Sequence, residues 1–167
     1  MQEISLQLRP ISPEDNARVA DIIRTVMPEY DCVGEGYSIN DPEIDDMSGA
    51  YSGDGSQFYV LETVGEGEPV IIGCAGYGPL VGGDGSVCEL RKMYLLREGR
   101  GLGGGRMLME ACLAGARTDG YRTIYLETVT AMTEAAGLYR AYGFSYLDGP
   151  MGATGHSGCD LFMARKL

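Results

Sequence analysis

The 167-residue chain has a single histidine, His156, and its five cysteines (Cys32, Cys74, Cys88, Cys112 and Cys159) include no C-x-x-C pair. So few nitrogen and sulfur ligands at such spacing leave little to build a zinc site from, and no disulfide framework is suggested. An odd, scattered set of cysteines fits free thiols in a reducing compartment, and no metal is expected. No apolar run approaches the roughly 20 residues of a membrane span. The opening MQEISLQLRP lacks the basic start, apolar core and small-residue cleavage site of a secretory signal, so the expectation is a cytoplasmic protein without a membrane partner. Basic excess is missing too: the net charge is -11, whereas a nucleic-acid partner requires a basic face to neutralise phosphates. No linker, repeat or composition break divides the chain, which reads as one domain over residues 1–167.

The charge is unevenly spread. Residues 1–68 carry 3 basic and 15 acidic side chains, and residues 69–167 carry 10 and 9. Within residues 29–54 eight acids, Asp45 and Asp46 among them, occur without one lysine or arginine. Such a field gathers cations and repels anions, whereas the near-neutral second half can receive an anionic ligand.

The element pattern alternates. ISLQLRP reads as a strand. Ser12, followed by Pro13 and Asp15, reads as a helix start, and Val19, Ile22, Ile23 and Val26 follow at helical spacing. After the acidic stretch, with a short helix expected beyond Asp41-Pro42, QFYVLETV, PVIIGCAGYGPL and SVCELRKMYLL read as strands of an antiparallel meander. A helix is predicted from about Gly103 to Asp119, with Met107, Leu108, Ala111, Cys112 and Gly115 inward. YRTIYLETV is a strand, TEAAGLYRAYG a helix stopped by Gly143, and FSYL and DLFMARKL close the chain as strands.

Between the meander and the second long helix lies LREGRGLGGGR, with glycines at 99, 101, 103, 104 and 105. Unpaired amides at a helix start, together with the positive end of its dipole, form an anion site, and glycine lets a ligand approach them. Arg97, Arg100 and Arg106 add charge suited to phosphate oxygens. A P-loop is ruled out because no Lys-Ser or Lys-Thr follows the glycines. Gly99, Gly101 and Gly104 do fit G-x-G-x-x-G, and Glu127 ends the next strand as a dinucleotide site would want. Too little chain follows Glu127, however, to complete the usual six-stranded sheet.

Arg100-Gly101-Leu102-Gly103-Gly104-Gly105 fits R-x-x-G-x-G, preceded by CELRKMYLL and followed by RMLMEACLAGAR and EAAGLYRAYGF. In this the chain resembles the GCN5-related N-acetyltransferase (GNAT) superfamily. The resemblance implies a mixed α/β fold: a central, mostly antiparallel sheet of about seven strands with splayed fourth and fifth strands, flanked by about four helices. It implies acetyl-coenzyme A as co-substrate, with the amides of Arg100 to Gly105 on its pyrophosphate, Arg106 adjoining them, and the backbone of Met93, Tyr94 and Leu95 along the pantetheine arm. Tyr139, in LYRAYGF, falls where members place a tyrosine that protonates the leaving thiolate, and Glu89 where many place a general base. Two positions depart from the pattern. Met132 stands where an asparagine is common, so its hydrogen bond is either missing or made elsewhere, for example by Thr128 or Thr130, and Gly104 replaces an aliphatic residue in the loop. The end GATGHSGCDLFM looks like that of a bacterial subgroup.

These residue types suit acyl transfer. An amine with a pKa near ~10 must lose a proton before attacking a thioester, and the departing thiolate must gain one. The implied activity moves an acetyl group from acetyl-coenzyme A to a primary amine of a small molecule or peptide. His156, Glu127, Asp45 and Asp46 are candidate acceptor-binding residues. Cys159 or Cys88 could act as an acyl carrier only with His156 as its base. A non-catalytic acyl-coenzyme A sensor and an NAD(P)-dependent oxidoreductase are the alternatives, and the oligomeric state is left open, a homodimer included.

Overall fold

The computed structural model describes residues 4–167. Strand β1 (Ser5–Pro10) forms one edge of the sheet. Asp15 then folds back on the turn, its carboxylate accepting from the Ser12 amide at 2.8 Å and from its hydroxyl at 3.2 Å. One 3-10 turn starting at Pro13 leads into helix α1 (Asn16–Val26). The predicted stripe Val19, Ile22, Ile23 and Val26 is buried, and burying each such side chain stabilises the helix against the sheet by roughly 1.5 to 3 kcal/mol. The acidic segment continues as 3-10 turns and the short helix α2 (Met47–Ala50), which Asp46 caps by accepting from the Gly49 amide. Ile44, Met47 and Tyr51 pin this segment to the core beneath α1.

Strands β2 (Gln57–Val64), β3 (Val70–Pro79) and β4 (Val87–Leu95) form the expected antiparallel meander. Helix α3 (Gly104–Thr118), β5 (Thr123–Thr128), α4 (Thr133–Ala141), β6 (Ser145–Tyr146) and β7 (Leu161–Lys166) complete the chain. The seven-stranded sheet runs β1-β2-β3-β4-β5-β7-β6, and its only parallel pair among the described residues is β4 with β5. α1 and α2 cover one face, and α3 packs on the other.

The inner face of α3 differs in part from the expectation. Leu108 and Cys112 are buried as predicted, but Met109, Leu113 and Ala116 share the core with them, while Met107 and Ala111 are only partly covered. The sequence offers two apolar stripes that overlap at Leu108 and Cys112, and the sheet selects the one offset by a residue. Gly115 lies where Tyr59 and Tyr77 approach the helix: a Cβ there would stand 2.6 Å from the Tyr77 hydroxyl and 3.0 Å from that of Tyr59.

Two features of β4 open the centre of the sheet. Its parallel pairing with β5 covers only Val87, Cys88 and Glu89, opposite Thr123, Ile124 and Tyr125, after which the strands part. On its other side, Tyr94 pairs with Cys74 but Arg91 with Gly76, so two residues, Lys92 and Met93, oppose Ala75 alone. This is a β-bulge, and Lys92 adopts the left-handed φ of 52° within it. The divergence and the bulge together form a V in the middle of the sheet.

Candidate active site

An outer groove of about 250 Å³ enters this V from the glycine loop. It is lined by Met93, Tyr94 and Leu95 on β4 and by Arg100, Gly101, Gly103, Gly104, Gly105 and Arg106 at the start of α3. Leu102, grouped with them by sequence, is instead exposed and does not line the groove. The loop geometry depends on glycine at Gly101 and Gly103, with φ of 77° and 85°, where a side chain would be strained. Gly104 has its own reason: a Cβ there would meet Leu61 Cδ2 at 2.5 Å. The missing aliphatic side chain is thus supplied from β2, and α3 sits close to the sheet.

The arginines divide their roles. The Arg100 guanidinium donates to the Leu95 carbonyl at 2.9 and 3.1 Å and to Glu29 at 2.8 Å, so it fastens the loop to β4 and to the segment after α1. Arg97 also lies against Glu29, at 3.5 Å. Arg106 makes no ion pair among the described residues and is the groove's available cation.

Behind the groove lies a smaller cavity of about 70 Å³, and Met93, Tyr94 and Met132 line both spaces. Glu89, Glu127, Thr128, Tyr139, His156 and Cys159 face this inner cavity. Met132 therefore occupies the junction as an apolar side chain. Thr128 stands nearby on the cavity wall, while the Thr130 hydroxyl is turned away to Asp160 at 2.8 Å.

Glu89 is 4% exposed, and its carboxylate receives the Arg91 Nε at 2.7 Å. Burial outweighs that partner and holds the Glu89 carboxyl above the ordinary glutamate value. Glu127 behaves oppositely. Burial alone would raise it, but contacts from His156, Thr154 and Tyr125 hold it below the ordinary value. Thr154 and Tyr125 both donate to its carboxylate, Tyr125 at 2.7 Å.

Tyr139 is buried among α4 and core residues, its ring 5.9 Å from that of Phe144, and its hydroxyl has no hydrogen-bond partner among the described residues. Burial pushes it up to about 12, so the hydroxyl keeps its proton at neutral pH. Burial likewise pushes the Cys159 thiol up to about 12. With His156 already engaged by carboxylates, no base remains to make Cys159 a nucleophile.

His156 is half-buried rather than a free loop residue. Its Nε2 lies 3.0 Å from both Asp41 oxygens, and its Nδ1 lies 3.7 Å from Glu127. The two carboxylates, against the opposing effect of burial, raise the imidazole to about 9. Glu89, Glu127 and His156 each bring one potential ligand atom within 4.8 Å of the others. Both imidazole nitrogens face carboxylates, Nε2 towards Asp41 and Nδ1 towards Glu127.

Asp45 and Asp46 line neither space. Asp45 pairs with Arg24 at 2.8 and 3.0 Å on the surface, and Asp46 caps α2 and accepts from Asn16. From the same acidic segment it is Asp41 and Glu43 that reach the site. Both accept from Lys92 Nζ at 2.8 Å, and the lysine side chain is only 2% exposed. No local pattern in the chain signals these contacts, since Asp41 and Lys92 stand 51 positions apart and Asp41 and His156 115. The one available cue is a lysine within an otherwise apolar strand end, KMYLL.

With this geometry in place, the comparisons with known proteins are direct. The family model described as "Acetyltransferase (GNAT) family" matches residues 19–144, and the chain belongs to that family. A relative in Escherichia coli K12, "Uncharacterized N-acetyltransferase YjgM", is 37% identical over 161 residues, covering 96% of this chain and 94% of the relative. Among solved structures, a GNAT-family acetyltransferase from Staphylococcus aureus Mu50 superposes with a TM-score of 0.78 at 18% identity, over 97% of this chain and 99% of the other. A phosphinothricin acetyltransferase from Sinorhizobium meliloti, in complex with acetyl-coenzyme A, gives 0.74 at 24% identity, over 97% and 88%. These two structures support the fold. No helix among the described residues is long and apolar enough to cross a membrane.

Proposed function

We propose that the protein transfers an acetyl group from acetyl-coenzyme A to a primary amine of a small molecule or peptide, by direct attack of the amine on the thioester. One observation carries this reading: a glycine-lined groove at a helix start leads, at Met93 and Tyr94, into a cavity holding a buried carboxyl and an unpartnered tyrosine. The acetyl-coenzyme A complex of the Sinorhizobium protein lends support to the choice of co-substrate.

The pyrophosphate rests on the amides around Gly101 to Gly105, with Arg106 beside it. The pantetheine arm runs along the edge of β4 that β5 leaves unpaired beyond Glu89. Glu89 takes a proton from the acceptor ammonium, and its raised value brings it closer to the working pH than an ordinary carboxylate. The amine nitrogen then bonds to the acyl carbon. A backbone N–H at the β4 bulge steadies the oxyanion, a contact worth roughly 3 to 4 kcal/mol where measured. As the carbon–sulfur bond breaks, the Tyr139 hydroxyl gives its proton to the departing thiolate, and the second proton, lost by the acetylated nitrogen, restores that hydroxyl while Glu89 releases the first to solvent.

The test is release of free thiol from acetyl-coenzyme A against a library of primary amines, alongside melting curves with acetyl-coenzyme A or NAD. Stabilisation by acetyl-coenzyme A and thiol release with some amine are expected. Stabilisation without turnover on any amine would favour a sensor, and stabilisation by NAD alone would overturn the family-based reading of the loop.

A further inference from the structure

Three segments far apart in the chain meet at one imidazole. Asp41 arrives from the acidic segment before α2, His156 from the loop between β6 and β7, and Glu127 from the end of β5. Asp41 presents both carboxylate oxygens to Nε2 at 3.0 Å and is itself held by Lys92 Nζ at 2.8 Å. On the far side of the ring, Nδ1 faces Glu127 at 3.7 Å. Glu127 also receives Thr154, two residues from His156, and Tyr125, whose hydroxyl accepts from the Met151 amide at 3.1 Å. The same loop thus grips Glu127 three times. Its carboxylate is fixed on the wall of the inner cavity, within 4.8 Å of Glu89.

This arrangement uses more groups than one general base needs. Two carboxylates face one small cavity, and only Glu127 has an ordered set of donors around it. Every cation nearby is already engaged: Arg91 with Glu89, Lys92 with Asp41 and Glu43, and His156 with Asp41 and Glu127. An incoming ammonium is the charge the cavity still accommodates. We propose that Asp41 and His156 are positioning residues that clamp Glu127 as the fixed anchor for the acceptor's ammonium, leaving the neighbouring Glu89 free to take its proton. The assignment rests on the amine-acetylation reading for the identity of the ligand, but the clamp itself is testable without turnover.

The chain's only histidine makes the test direct. Protein labelled with 13C-histidine gives one imidazole signal, free of overlap, whose titration reports the charged groups facing it: Asp41, Glu127, Glu89 and, through Asp41, Lys92. The signal is expected to titrate near 9 rather than at the ordinary 6.5. Asp41→Asn and Glu127→Gln should each lower it by about one unit or more. Titration near the ordinary value in the unaltered protein, or indifference to both changes, overturns the clamp whether or not the protein acetylates amines.

With an amine substrate, His156→Gln should raise the KM for the amine about tenfold while acetyl-coenzyme A KM stays within about twofold. The double variant Asp41→Asn with His156→Gln should be no worse than His156→Gln alone, because the two act in one chain. Additive losses, or a fall in kcat with KM unchanged, would overturn the positioning role. Melting curves with acetyl-coenzyme A confirm that each variant remains folded. If the clamp titrates as expected but no amine is turned over, the anchor stands without its ligand and the amine reading fails on its own.

Discussion

Glu89 and Glu127 stand on the two strands that part to form the V, with carboxylate oxygens within 4.8 Å, yet their surroundings push them in opposite directions. Glu89 sits deeper, with one charged partner, and its carboxyl is raised. Glu127, ringed by donors, is lowered. Paired carboxyls whose environments drive them apart can serve different protonic roles, which is the division proposed for Glu89 and Glu127.

Replacement of Glu89 by glutamine should therefore lower kcat/KM about 100 to 10,000-fold while leaving acetyl-coenzyme A affinity unchanged. In the unaltered protein the base acts only when ionised. The rate should fall as pH drops through the Glu89 value, and that midpoint should lie above an ordinary carboxyl. A rate profile flat through this range, or a loss below about threefold in the variant, would place the base elsewhere.

Tyr139→Phe tests the proton donor. Its hydroxyl acts only as the thiolate leaves, so kcat should fall with the KM for acetyl-coenzyme A nearly constant. The loss should diminish for thioester analogues whose leaving thiol is more acidic. Equal losses across such analogues, or a large drop in melting temperature with activity retained, would show a packing role beside Phe144.

Gly105→Val probes the groove. A Cβ at this position meets Leu138 Cδ2 at 3.2 Å, a tight contact that the far end of a flexible side chain can relieve, but the valine enters the groove where the proposed pyrophosphate would approach the amides. The stabilisation that ligand binding adds by mass action should disappear, whereas the melting temperature without ligand should change by only a few degrees. A retained ligand shift would remove the loop from the binding site.

Asp45 and Asp46 offer a contrast within the acidic segment. Asp45→Asn together with Asp46→Asn should leave kcat/KM within about twofold, because both are turned away from the cavity, to Arg24 and to the α2 cap. A drop of about tenfold or more would show that the segment attracts the acceptor as a diffuse field.

Stability at low pH should depend on Asp15. The Arg9 guanidinium grips its carboxylate at 2.7 and 2.9 Å and, with the Ser12 amide, outweighs burial to hold it below the usual aspartate value. A lowered carboxyl adds stability above its unfolded value, and that stability is lost as pH falls through the folded one. Asp15→Asn should cost about 1 to 2 kcal/mol in urea unfolding at neutral pH, with the difference narrowing under acid. A cost independent of pH would point to shape rather than charge.

Much of the fold is readable from the chain because its cues are local. Ser12-Pro13 and the 19, 22, 23, 26 spacing mark α1, the Gly-rich turns mark the meander, and the glycine loop marks the anion groove. The α3 face is ambiguous since two stripes share Leu108 and Cys112, and only the sheet decides between them. The bulge at Lys92 leaves no periodic trace, because one extra residue in a strand alters alternation no more than a polar exception does. The sequence marks His156 as a candidate acceptor-binding residue but not the carboxylates that hold it, because nothing near it in sequence signals them. Its partners come from folding, across 115 positions in one case and 29 in the other.

The sparse seam between β4 and β5 has a mechanical consequence. Only three residue pairs join the two halves of the sheet there, so the backbone ladder is two plates meeting along a short seam, with the open edges of Leu90–Leu95 and Leu126–Thr128 facing one another, while the buried core beneath holds the plates together. A ligand whose amides and carbonyls bridge that opening would do more than occupy a groove. It would serve as the missing rung, binding the plates into one continuous sheet and slowing amide exchange along both edges at once.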